Sequence, residues 1–520
     1  MKLKFLMPLL VAMIASCTSI KEHNAQIEQP IAATDLKSDV DYIYDRLQKM
    51  HPRLYWYISK EKLDYKFDSV KKTIVQPMKS FDFFNKIAPI IKTIGQGHMG
   101  VYPPGKKYSK TELKALIKKG VGPFSQFEFE LFDGKVFVVK NKSYYKKIKI
   151  GTELLAVNGE KVSDIIAKYK KTFASDGLNT NFIDQKTAKN FSNYFVYEHG
   201  AKDSVQYQFK KNDSIQNILI KRGIVDSVKL DANKKPIKPI VDKAKAKAIK
   251  ERNNIFGFNK ERKLYNRNLR FIGQDSVVAY MKINGFTIGD YEKFYKNSFS
   301  RIKTLNAKTL IIDLRDNGGG RLAEIANLYA YLATEPYIFA DKSEVVSRTS
   351  VIANMDYFKG KSWYWQPFLV AIAPVVYPLY YFKISKGSDG KFYQSSSETK
   401  SKKPKADNFK GKIYVLINGN SFSASSILSS NLKGSKRAFF VGDETGGAFN
   451  GTVAGQMPRV ELPKSKIAVR VGLLAIIPFY KTTTVGRGIF PDKEIKPTLQ
   501  DRIDNKDPEL EWVLNDIKSK

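Results

Sequence analysis

The C-terminal half of this chain is predicted to be an α/β domain with a mixed, largely parallel sheet, set behind an N-terminal helical region and a β-rich module. Three observations predict it. Strand and helix signals alternate from about residue 277: apolar runs rich in β-branched or aromatic residues at 277–283, 309–314, 413–417 and 438–441 are interleaved with helical patterns at 322–332 and from 425 onward. Strand-like runs then end in corners of glycine or serine, where a chain can turn sharply into a helix. Finally, 520 residues, 42% hydrophobic and 27% charged, suffice for two or three soluble domains with ample cores.

The N-terminus sets the expected location. Lys2 and Lys4 precede an apolar run, 5–14, too short to be a stable membrane span. Ile14-Ala15-Ser16-Cys17 closes it, and Cys17 is the sole cysteine, so no intramolecular disulfide can form. The pattern resembles a bacterial lipoprotein signal, which implies removal of 1–16, lipidation of Cys17 and a chain held on the cell envelope by a lipid anchor. Residues 17–33 are polar and aperiodic and read as a tether.

Residues 34–105 form the helical region. Thr34-Asp35 is placed to cap a helix carrying Leu36, Val40, Ile43 and Leu47, and a second pattern, 81–94, ends at the loop Gly95-Gln96-Gly97-His98. The module at 120–225 begins with a hairpin through Asp133-Gly134. A strand and an Asn158-Gly159 turn follow, in a stretch that resembles a segment of PDZ domains, and a second hairpin turns at Asn212-Asp213. A lysine-rich connection, 226–275, leads to the α/β domain at 276–500. An insertion at about 335–409 interrupts that domain, and its apolar piece 368–381 reads as buried surface or a lid over the site, with membrane contact as the secondary alternative. The stretch 501–520 ends the chain with a helix.

The formal net charge is +37, from lysines spread along the chain rather than in one block. No zinc-finger spacing or nucleic-acid motif accompanies it, so nucleic-acid binding is set aside. Such a surface suits anionic membranes or acidic substrates.

Chemistry concentrates at the corners. Asn420-Ser421-Phe422-Ser423-Ala424-Ser425-Ser426 follows the 413–417 strand. A serine there is exposed beside the free N–H groups of a first helical turn, the arrangement a nucleophile and its oxyanion require. Asp313-Leu314-Arg315-Asp316-Asn317-Gly318-Gly319-Gly320 is a second corner, and it lacks the lysine and spacing of a phosphate loop. Gly442-Asp443-Glu444-Thr445-Gly446-Gly447-Ala448 and Gly486-Arg487-Gly488-Ile489-Phe490-Pro491-Asp492 are two more.

In this order the segments resemble the tail-specific, or C-terminal-processing, serine proteases and their relatives, including tricorn protease. The resemblance implies a ClpP/crotonase-like fold, serine-peptidase chemistry on polypeptides and no cofactor or metal. It places the nucleophile at Ser423 and oxyanion donors at Ala424 and at Gly318 with Gly319 alongside. Ala448 stands where lysine-using members carry their base, so the resemblance turns to the histidine-using branch and to His98, with His51 and His199 as rivals. Tricorn-like sites add a serine beside the histidine and a distant glutamate, where this chain has Gly97 and Val485. Asp443, Glu444 and Asp492 are open as replacement carboxylates. A weak or inactive member, acting as an apolar-ligand carrier or an envelope scaffold, is the alternative.

Overall fold

The computed structural model describes residues 19–223, 243–260, 263–273, 278–354 and 365–519. Cys17 and the expected signal lie outside the described residues, as does much of the lysine-rich connection.

The helical region comprises Ala33–Met50, Lys60–Lys72 and Ser80–Lys92. Leu36, Val40, Ile43 and Leu47 form one buried stripe of the first, as the 3.6 period requires. That helix starts one residue before the expected cap. Ala32 is its N-cap without a side-chain bond, and Asp35 sits in the first turn, where a negative charge suits the helix dipole. The tether expectation is corrected from residue 19 onward. Ile20–Gln26 is a helix started by a reciprocal Ser19–Glu22 capping box. Asn24 Nδ2 donates to the Lys107 carbonyl at 2.8 Å, and Ile31 N to the Met78 carbonyl at 2.9 Å. Short-range capping and these polar contacts order a stretch that has no hydrophobic period.

The module is an antiparallel sheet in the order Phe127–Phe132, Lys135–Asn141, Glu153–Val157, Ser204–Lys211, Ser214–Lys221, with Glu160–Lys161 beside the third strand. Asp133-Gly134 and Asn158-Gly159 take positive φ at both positions, which fits tight primed turns. The helices Val162–Lys170 and Asn181–His199 accompany the sheet. The second of these has no counterpart in the sequence expectations.

The α/β domain is built on six strands in the order Arg267–Ile272, Val278–Ile283, Thr309–Asp313, Lys412–Ile417, Phe439–Gly442, Lys493–Glu494. Only the first pair is antiparallel. The central strands are buried apart from Lys412, which is why 309–313 and 413–417 read as apolar runs. The helices Tyr291–Thr304, Leu322–Leu332 and Ala424–Gly434 pack through one core with Leu310, Ile312, Val415 and Ile417. On the opposite face the terminal helix Pro508–Lys518 contributes Val513.

The insertion supplies Ser343–Val345, Ile384–Lys386 and Phe392–Gln394 to a second sheet with Leu474–Ile476 and Thr452–Ala454. Its apolar piece is a helix, Gln366–Phe382, and the expectation of buried surface is corrected. Phe368 is 55% exposed, Val375 63% and Phe382 81%. Hydrophobicity alone does not say which side of a surface a helix occupies. Among the described residues no helix is long and apolar enough to cross a membrane.

Candidate active site

The strand Lys412–Ile417 delivers the chain into a corner stitched by its own small polar side chains. Ser421 Oγ donates to the Leu314 carbonyl at 2.8 Å and accepts from Asn418 N. Ser425 Oγ donates to the Asn317 carbonyl at 2.9 Å, and Ser426 Oγ to the Ser421 carbonyl at 3.0 Å. These three serines are structural pins, each with its own buried hydroxyl paired. Ser423 differs from them. It is the one residue of 421–432 that is not buried, it makes no capping bond, and its backbone sits at φ 59°, ψ −120°. A non-glycine residue held at positive φ costs roughly 1–3 kcal/mol and persists only where the surroundings enforce it.

His98 lies against this serine, with Nε2 2.9 Å from Ser423 Oγ. Its Nδ1 lies 3.0 Å from Thr452 Oγ1, and that hydroxyl lies 3.2 Å from Asp176 Oδ1. The donor directions follow from the carboxylate. Thr452 O–H donates to Asp176, so its lone pair accepts Nδ1–H of His98, and Nε2 is left free to accept the Ser423 proton. The four side chains come from four separate places: the 95–98 loop, the 172–179 segment before the helix Asn181–His199, the Ser423 corner and the strand Thr452–Ala454.

Burial decides the electrostatics. The His98 imidazole is pushed down to about 3 by desolvation, with Arg470 and Lys186 adding positive charge nearby. Burial pushes Asp176 up to about 6, against the pull of bonds from Gly97 N, Ala448 N and Thr452. Gly97 is explained by the same packing, since an added Cβ there would lie 2.7 Å from the Phe422 ring. The hydroxyl on the Nδ1 side of the histidine comes from Thr452 instead.

The three carboxylates left open by the sequence are occupied elsewhere. Glu444 takes Arg487 Nη2 at 2.6 Å and Gly488 N at 2.7 Å. Asp443 accepts from Asn181, and Asp492 from Phe440 N at 2.8 Å. Glu444 thereby clamps the two last glycine-rich corners together. The Gly486 carbonyl accepts Leu178 N at 2.8 Å, which holds the Asp176 segment in place. Of the rival histidines, His199 lies 3.2 Å from Glu160, and neither ring nitrogen of the buried His51 has a partner among the described residues. Thr452 and Asp176 belong to no motif and were missed by sequence reasoning.

The glycine corner corrects one expected donor. Gly319 N already donates to Asn317 Oδ1 at 2.9 Å, so it is not free for an oxyanion. Its role is steric: at φ +99°, an added Cβ would lie 2.6 Å from Ser423 Cβ and 2.8 Å from Ala424 N. A Cβ at Gly318 would meet nothing within 4 Å. The corner is fastened from below, where Arg315 bonds both Asp313 Oδ2 at 2.8 Å and Asp507 at 2.6 Å.

A serine hydroxyl bonded to a neutral histidine, beside a helix N-terminus, is the constellation of a serine hydrolase. Comparison with known proteins points the same way. Residues 277–495 match the model of Peptidase family S41, so the α/β domain is similar to that peptidase family. Mature CPAF complexed with lactacystin is similar in fold, at 14% identity, with 94% of this chain and 98% of that chain covered and a TM-score of 0.58. Mature CPAF alone gives 15% identity, 91% and 94% coverage and a TM-score of 0.56. No curated protein matches the chain.

Proposed function

We propose that this chain is a serine endopeptidase of the bacterial cell envelope, anchored by lipid at Cys17, that cleaves polypeptides through an acyl-enzyme on Ser423. The observation that carries the reading is the 2.9 Å approach of His98 Nε2 to Ser423 Oγ. Ser423 gives its proton to His98 as its oxygen attacks the peptide carbonyl. The imidazolium is steadied through Thr452 by the Asp176 carboxylate. N–H groups of Ala424 and Gly318 hold the tetrahedral oxyanion. His98 then protonates the leaving amine, and water, deprotonated by the same histidine, releases the acyl group. The module at 120–225 offers strand edges to which an extended peptide can add. The test is hydrolysis of an unstructured polypeptide by the purified chain. Cleavage by wild type and none by Ser423→Ala supports the reading, and equal cleavage by both defeats it.

The oxyanion corner gives a sharper prediction. Gly319→Ala drives a methyl group into Ser423 and should lower turnover by roughly a hundredfold or more. Gly318→Ala keeps its N–H, adds a Cβ in open space and should cost far less. Equal losses, measured as kcat with circular dichroism as the folding control, would remove the steric role of Gly319.

The location rests on the signal-like N-terminus, the net charge of +37 and the exposed apolar helix Gln366–Phe382, which suits an anionic lipid surface. Cys17→Ser should shift the mature protein from the membrane fraction or block its processing. Wild type recovered wholly soluble, with an unmodified cysteine, would contradict the anchor.

A further inference from the structure

A cavity of about 610 Å³ opens beside His98, walled by Gly100, Tyr102, Phe173, Lys186, Tyr194 and Arg470. Its position follows from the fold. The strand Gly100–Tyr102 leaves His98 and pairs with Ala468–Arg470, which sets Gly100 opposite Arg470. Arg470 Nε donates to the His98 carbonyl at 2.7 Å, so the guanidinium is fixed behind the proposed base. Lys186 reaches in from the helix Asn181–His199, its ammonium 4.9 Å from the Phe182 ring and 5.4 Å from the Phe173 ring. Phe182 in turn stacks at 4.3 Å on Phe422, the residue before Ser423. One wall of the cavity is therefore continuous with the nucleophile corner.

The charge in this cavity is uncompensated. Among the described residues neither Lys186 nor Arg470 has an ion-pair partner. The acid that influences Lys186 is Asp176, whose carboxylate already accepts from Gly97 N, Ala448 N and Thr452. Burial and Arg470 pull the Lys186 ammonium down to about 8. Two cations held together under partial burial are costly unless an anion completes the site. The aromatic walls suit the carbon body of a peptide residue.

We propose that this cavity is a substrate subsite that recognises a peptide carboxylate through Lys186 and Arg470, an inference that rests on the peptidase reading of Ser423. The carboxylate is either the C-terminus of the substrate or an Asp or Glu side chain near the scissile bond. Both present the same planar anion to a guanidinium and an ammonium.

The experiment measures peptide binding to the full chain carrying Ser423→Ala, by fluorescence anisotropy. One labelled peptide is used as free acid and as C-terminal amide, and a second, amidated, carries Glu or Gln at an internal position. At least one acid should bind about tenfold or more tightly than its neutral partner. The pair that shows the difference identifies the source of the carboxylate. High salt should shrink the difference. Lys186→Gln should abolish it and Lys186→Arg should restore most of it. Acid and neutral peptides bound alike by the Ser423→Ala chain, or neither bound, overturns the subsite with no need of a Lys186 variant. An acid preference that survives Lys186→Gln in a folded protein also overturns it. If the preference holds but wild type cleaves none of these peptides, the peptidase reading fails and the subsite stands. If wild type cleaves them without regard to the carboxylate, the subsite fails alone.

Discussion

His98→Ala and Ser423→Ala each lower kcat/KM by on the order of 10⁴–10⁶, and the double variant is little worse than either single one. The reason is that the 2.9 Å contact makes the two side chains one device. A serine hydroxyl without a base is a poor nucleophile at neutral pH, and a base without the hydroxyl has no proton to take. What survives either loss is the oxyanion site and substrate positioning, which neither substitution touches. Losses that multiply in the double variant would mean that the residues act separately.

The second large effect lies one bond further out. Thr452→Val preserves shape but breaks the link between His98 Nδ1 and Asp176, and Asp176→Asn removes the charge at its end. Each should lower kcat/KM by on the order of 10²–10⁴, because the imidazole loses its fixed tautomer and its counter-charge. The pH profile separates this relay from simple packing. His98, held down at about 3, is already the neutral base across the mildly acidic range. Asp176, held up at about 6, is protonated below that value. A protonated Asp176 can donate to Thr452, which then turns its own proton toward His98 Nδ1 and leaves the hydrogen on the wrong nitrogen. Activity should therefore rise with pH through about 6, on a limb belonging to Asp176. That limb should vanish in Asp176→Asn. The same limb persisting in the variant would return it to the histidine, whose ordinary value is about 6.5.

The buried histidines carry a stability consequence whose sign is fixed. His98 and His51 are both pushed down to about 3 by burial, so between there and about 6.5 the unfolded chain binds protons that the folded chain does not. Their contribution to stability is complete above about 6.5 and declines as pH falls through that window. The urea midpoint should drop between pH 7 and pH 4.5, and drop less in a folded His51→Gln variant.

Ser423 and His98 are legible through the resemblance to the tail-specific proteases, which assigns their roles to a small-residue corner after a buried strand and to a histidine in a glycine-flanked loop. The strands 309–314 and 413–417 are legible because both faces of the sheet are covered, and such strands read as continuous apolar runs. Thr452 and Asp176 are not legible. They meet across 276 positions of chain, in a strand and a turn whose own sequences announce no chemistry. Gly319 shows a subtler limit, since a glycine in a corner can serve as a donor or as a space. Only the Asn317 side chain, which takes its N–H, distinguishes the two. Lys186 is one lysine among many until the helix Asn181–His199 turns it toward Arg470 and away from solvent.

The most direct test of the account is the site and rate of modification by a fluorophosphonate, read by mass spectrometry on the intact chain and its peptides. The account predicts a single adduct on Ser423, formed roughly a hundredfold more slowly in His98→Ala, since the reagent depends on the same base-assisted attack. No adduct on folded wild type, or an adduct formed at the same rate without His98, would contradict it.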